Sequence, residues 1–91
     1  MNLKIILYTT PGCFACNVMA KILQQVEEIE NIPVIKKSIE LDDNGIAKAK
    51  ELGIKDFPTT IFIDADTEQS LHTLVGTYSI MYITDLLKTI V

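Results

Sequence analysis

Leu3 to Thr9 (LKIILYT) is an almost unbroken apolar run rich in isoleucine, the pattern of a strand covered on both faces. Pro11-Gly12 breaks it. From Cys13 to about Glu30 the rhythm changes. Ala15, Val18, Met19, Ile22, Leu23, Val26 and Ile29 recur at steps of three and four, with Lys21, Gln24, Gln25, Glu27 and Glu28 between them, which predicts an amphipathic helix. Asn31 and Pro33 end it. Pro33 to Leu41 (PVIKKSIEL) predicts a second strand with Val34, Ile35, Ile39 and Leu41 as its apolar members. Asp42-Asp43-Asn44-Gly45 is a turn that can cap a helix, Ile46 to Leu52 a short helix, and Gly53 a residue suited to its C-terminal cap. After Pro58, Thr59 to Asp64 (TTIFID) and Ser70 to Val75 predict two strands joined by a hairpin loop over Ala65 to Gln69. Gly76 ends the second of them. Ser79 to Ile90 predicts a last helix, with Met81, Ile83, Leu86, Leu87 and Ile90 available to the core.

The predicted order is β-α-β-α-β-β-α. A crossover helix between the first two strands makes them parallel, and a hairpin makes the last two antiparallel. The expected architecture is an α/β fold, a mixed four-stranded sheet flanked by helices. At 91 residues the chain is expected to form one domain, 1–91, with a single modest core.

Charge removes several functions. The net charge is −4, and all eight basic residues are lysines. Arginine is the side chain that best makes bidentate contacts to phosphate and base edges, so nucleic acid is not an expected partner. An acidic chain is equally ill suited to an anionic membrane surface. No segment approaches the roughly 18 apolar residues of a membrane span. Met1-Asn2-Leu3-Lys4 leads into an apolar stretch shorter than the roughly 7–15 residues of a secretory signal, so the expected location is the cytoplasm.

The two cysteines, Cys13 and Cys16, stand three apart. A structural disulfide framework uses more cysteines at longer separations, and closing so short a loop stabilises little. The pair lies where a strand gives way to a helix. Free N–H groups and the partial positive charge of a helix start favour a thiolate, the nucleophile of disulfide exchange. Cys13, nearer the open end, is the candidate attacking residue. Cys16, one turn on and further inside, is the candidate resolving residue. A metal module is the weaker alternative, because a structural zinc site wants four ligands and the chain adds only His72, which reads as a surface residue on a hairpin strand. A non-catalytic interaction domain with incidental cysteines is another alternative.

Tyr8-Thr9-Thr10-Pro11-Gly12-Cys13-Phe14-Ala15-Cys16 resembles the active-site segment of glutaredoxins and small thioredoxins. Gly53-Ile54-Lys55-Asp56-Phe57-Pro58-Thr59-Thr60-Ile61-Phe62 is similar to the thioredoxin segment around its cis-proline, and Val75-Gly76-Thr77 looks like the glycine that follows the last strand. The resemblance spans essentially the whole chain, without the first strand and helix of longer thioredoxins. It implies a thioredoxin-like fold, a redox-active Cys13–Cys16 disulfide with no bound cofactor, and a cis Phe57–Pro58 bond beside it. It implies that Phe57 and Thr59 hold a substrate backbone next to Pro58 and Gly76, with Phe14 as an apolar contact. Disulfide-containing proteins are the implied substrates, and a monomer is expected.

The departures from the family are specific. Leu7 takes the place of a buried aspartate, and Ser38 falls near that of its lysine, so the usual proton relay to Cys16 is in question. Gly12 replaces a tryptophan. The basic residue that glutaredoxins place just upstream is Thr9 or Thr10 here, and their Gly-Gly-x-x-Asp segment reads Gly76-Thr77-Tyr78-Ser79. The implied electron donor is therefore a flavin-dependent disulfide reductase rather than glutathione. Protein-disulfide reduction is the expected activity; glutathione-linked, oxidase or isomerase activity on the same fold is the alternative.

Overall fold

The computed structural model describes residues 2–90. The expected unit of 1–91 thus includes two positions, 1 and 91, outside the described residues. The chain runs β1 (Leu3–Thr9), α1 (Phe14–Glu30), β2 (Val34–Ser38), α2 (Asp43–Leu52), β3 (Thr59–Asp64), β4 (Ser70–Val75) and α3 (Ile80–Ile90), the expected order. The four strands lie in the order β2-β1-β3-β4. β1 pairs parallel with β2, Ile5 opposite Val34 and Thr9 opposite Ser38, and antiparallel with β3, Leu3 opposite Asp64 and Tyr8 opposite Thr59. β3 and β4 form the hairpin.

Because side chains alternate along a strand, β1 feeds two layers. Leu3, Ile5 and Leu7 pack with Met19, Leu23 and Val26 of α1, Phe62 of β3, Leu74 of β4, and Ile83 and Leu87 of α3. Ile6 and Tyr8 point the other way, to Ile39, Ala49 of α2 and Ile54. Helices therefore cover both faces, and β1 is the strand buried on both sides that its composition predicts.

The differences from expectation are local and have physical causes. β2 ends at Ser38 rather than Leu41, because its partner β1 ends at Thr9 and offers no further ladder. Ile39 turns inward, its N–H donating to the Thr9 carbonyl at 2.7 Å, and Leu41 is left exposed. α2 begins at Asp43, three residues before Ile46, because Asp42 caps it: its carboxylate accepts from the Gly45 N–H at 2.7 Å. A Cβ on residue 45 would collide with the Glu40 carbonyl, so this tight entry needs glycine. Ile29 is exposed, not core. It lies about 100° around α1 from the centre of the Cys16-Met19-Leu23-Val26 stripe. Met81 is likewise exposed, on the side of α3 opposite Ile83 and Leu87. Ser79, expected as the start of the last helix, stands just before it, its hydroxyl accepting from the Tyr82 N–H at 3.1 Å.

Candidate active site

Cys13 is the N-cap of α1, with extended backbone at φ −98° and ψ 106°. The helix thus starts one residue later than the apolar spacing predicts. Ser, Thr, Asp or Asn normally fill this position with an oxygen that accepts from the first helical turn. Here a sulfur does so: Cys13 Sγ accepts from the Cys16 N–H at 3.1 Å. The first turn of α1 carries no acidic side chain to oppose the positive end of the helix. When the pair is reduced, a thiolate on Cys13 would keep that same donor and meet the same partial charge.

Cys13 and Cys16 form a disulfide, their Cα atoms 5.2 Å apart. Cys13 is half-buried, while Cys16 is 2% exposed. Only one of the two sulfurs is therefore open to a partner. Phe14, between them, is 82% exposed and presents its ring outward beside the open sulfur.

The sheet brings the remaining candidates to this end of the molecule. Tyr8 lies opposite Thr59, so Pro58 stands level with the last residue of β1, where the chain leads into Pro11, Gly12 and Cys13. The Phe57–Pro58 bond is cis. Phe57 is half-buried; Pro58 and Thr59 are buried, and the Thr59 hydroxyl donates to the Asp56 carbonyl at 2.7 Å, closing this turn. Gly76 is joined to the same turn, its N–H donating to the Pro58 carbonyl at 2.9 Å. At φ +98° Gly76 has a backbone that a side-chain-bearing residue adopts only under strain. Cys13, Cys16, Phe57, Pro58, Thr59 and Gly76 thus meet at the end of the sheet where β1 stops, three loops around one half-open sulfur.

Leu7 is buried opposite Thr60, and Ser38 is exposed at the end of β2. Among the described residues no carboxylate, lysine or histidine side chain is buried; the buried polar residues there are Thr9, Thr59 and Thr60. His72 is exposed on β4, its ring edge-on to Phe62 at 6.4 Å between centroids. Among the described residues no three His, Cys, Asp or Glu side chains are grouped to hold a metal ion, and no helix is long and apolar enough to cross a membrane.

Two site residues carry no role in the sequence reading. The hydroxyls of Thr10, just before Pro11, and of Thr60, two residues after Pro58, are shut from solvent without a hydrogen-bond partner. For Thr60 the available signal was a threonine directly before the apolar run Ile61-Phe62-Ile63, next to the proline turn.

Known structures share this arrangement of the chain. A thioredoxin pre-protein of Schistosoma mansoni superposes with a TM-score of 0.74 at 21% identity, over 99% of this chain and 80% of its own. Thioredoxin f2 of Chlamydomonas reinhardtii gives 0.76 at 15% identity, over 97% of this chain and 78% of its own. A malarial protein of nearly the same length gives 0.77 at 15% identity, over 100% of this chain and 99% of its own. At such identities the likeness is one of fold, and the fold is thioredoxin-like. No curated protein matches the sequence at a significant level. The sequence pattern of one family extends over residues 2–90, cysteines and proline turn included, and the chain belongs to that family, TraF (F plasmid transfer operon protein), within the thioredoxin-like superfamily.

Proposed function

We propose that this protein is a thiol–disulfide oxidoreductase that reduces protein disulfides through Cys13 and Cys16. The observation that carries the reading is the asymmetry of the pair: Cys13 caps a helix with its sulfur half-open, while Cys16 is sealed one turn inside. An exposed, electropositively placed sulfur backed by a buried one is what sequential attack and resolution require.

In the reduced protein the Cys13 thiolate attacks a substrate disulfide, forming a mixed disulfide and releasing the other substrate sulfur as a thiol. The Cys16 sulfur then attacks Cys13 Sγ. The Cys13–Cys16 bond forms, the bond to substrate breaks, and its electron pair leaves on the second substrate sulfur, which takes up a proton. Two electrons pass from the protein to the substrate. The backbone of Phe57 and Thr59, with Pro58 and Gly76 beside it, holds the extended substrate segment, and Phe14 adds apolar contact. A flavin-dependent disulfide reductase restores the dithiol, in preference to glutathione. The protein works as a monomer in the reducing cytoplasm.

Reduction of a protein disulfide in the presence of excess dithiol tests this directly. Cys13→Ser should abolish turnover. Cys16→Ser should accumulate mixed disulfides at Cys13, visible by mass. Turnover surviving Cys13→Ser would overturn the assignment of roles. The direction of exchange follows from equilibration in defined thiol–disulfide buffers: a potential near that of thioredoxin, about −270 mV, fits a reductant, and one near −120 mV would make the protein an oxidant and move it to an oxidising compartment.

A further inference from the structure

Resolution by Cys16 raises a chemical question. Its thiol must lose a proton before the sulfur attacks, and it must do so in a buried place. Burial disfavours the thiolate. No carboxylate, lysine or histidine is buried among the described residues, and the buried Tyr8 faces the other side of the sheet.

One sealed hydroxyl without a partner lies on that face of the sheet. Thr60 is 0% exposed, and its hydroxyl has no hydrogen-bond partner. Thr60 lies opposite Leu7 across the β1–β3 ladder, and directly opposed residues of an antiparallel pair share a face. Leu7 belongs to the layer packed under α1, with Met19 and Leu23. Cys16 stands one turn before Met19 on the same buried stripe of that helix, toward the end of β1 where Leu7 and Thr60 lie. Thr59 is partnered through the Asp56 carbonyl, and Thr9 is not among the sealed, unpartnered hydroxyls. A buried hydroxyl without a partner is costly, and such a group needs an explanation.

We infer that the Thr60 hydroxyl is the hydrogen-bond donor to the Cys16 sulfur in the dithiol and mixed-disulfide states. This rests on the exchange reading above. In the disulfide, Cys16 Sγ is held to Cys13, and the Thr60 hydroxyl has no hydrogen-bond partner, that sulfur included. When that bond opens, the Cys16 sulfur is free to turn to the hydroxyl, and it accepts from the O–H as a thiol and then as a thiolate. Thr60 remains a hydroxyl throughout. It takes no proton; it favours the ionised form of Cys16, whose proton leaves to water and whose electron pair forms the bond to Cys13. A neutral donor on β3 thus holds the charge at the resolving sulfur in a layer that has no ionic group.

The test follows resolution itself. Reduced protein mixed with 5,5′-dithiobis(2-nitrobenzoate) releases one coloured thiolate when Cys13 attacks and a second when Cys16 resolves the adduct. In Thr60→Val, which keeps the shape and removes the hydroxyl, the first release should be unchanged. The second should slow about tenfold near neutral pH, the scale of one hydrogen bond to a charged acceptor. The gap should close as pH rises and Cys16 ionises unaided, and Thr60→Ser should restore the wild-type rate. A second phase that is unchanged in Thr60→Val, or slowed equally at every pH and not rescued by serine, overturns the inference. Should the valine variant not fold, the Cys13→Ser protein gives an independent reading. The Thr60 β-carbon resonance should titrate with Cys16 there, and a resonance that ignores Cys16 ionisation overturns the inference as well. Wild-type protein that shows no second release would instead sink the exchange reading, which is a distinguishable failure.

Discussion

The two faces of the sheet are built unequally. On one, β1 side chains meet two helices and a layer that includes Met19, Leu23, Phe62 and Ile83, all without exposed surface. On the other, Ile6 and Tyr8 meet one short helix that buries only Ala49, together with Ile39 and Ile54 from the connections. The deep face also contains Cys16 at its edge. The shallow face contributes the connecting turns, among them the one that ends in Phe57 and Pro58. The deeper layer thus seals Cys16, while the thinner layer holds the loop that borders Cys13. Burial and exposure of the pair are divided between two sides of the same strand.

Ile5 and Ile6 are neighbours in β1 that point to opposite faces, so they test this contrast within one strand. Ile5→Ala should cost about 4 kcal/mol and Ile6→Ala about 2–3 kcal/mol, measured by denaturant unfolding, since the thinner layer can collapse around a smaller cavity. Equal costs would break the comparison. On the shallow side, Gly45→Ala should cost about 2 kcal/mol, because the added methyl collides with the Glu40 carbonyl and the backbone at the α2 entry must shift. Asp42→Ala removes the cap of α2 and should cost about 1 kcal/mol, with faster amide exchange confined to the first turn of that helix. The smallest effect should come from the deep side: Ile29→Ala, though on the helix that builds that layer, should change stability by less than about 0.5 kcal/mol, because Ile29 faces solvent.

Elements were legible in the sequence where a single local rule controls them. β1, β3 and β4 have the bounds expected from their apolar runs and turn residues. The Cys13–Cys16 spacing at a strand-to-helix junction marked the redox pair for the same reason: one helical turn and one broken strand define it. Errors fell where a neighbour decided. The end of β2 depends on where β1 stops, and nothing in Ile39-Glu40-Leu41 records that. Ile29 and Met81 satisfy a spacing of three or four residues from core positions, yet they stand off the buried stripe, and only the direction of packing separates the two cases.

The site divides in the same way. Cys13 and Cys16 are close in sequence, and the sequence by itself determined their spacing at a helix start, together with the acidic, arginine-free composition. The tertiary structure decided which sulfur is open and which is sealed, because exposure depends on what α1 lies against. It also decided that Thr60 sits opposite Leu7, on the face of the sheet that α1 covers. That placement follows from the antiparallel register of β3 on β1, and a slip of one residue would turn the hydroxyl to the opposite face. Local patterns write the elements into the chain; register and burial arise only when distant elements meet.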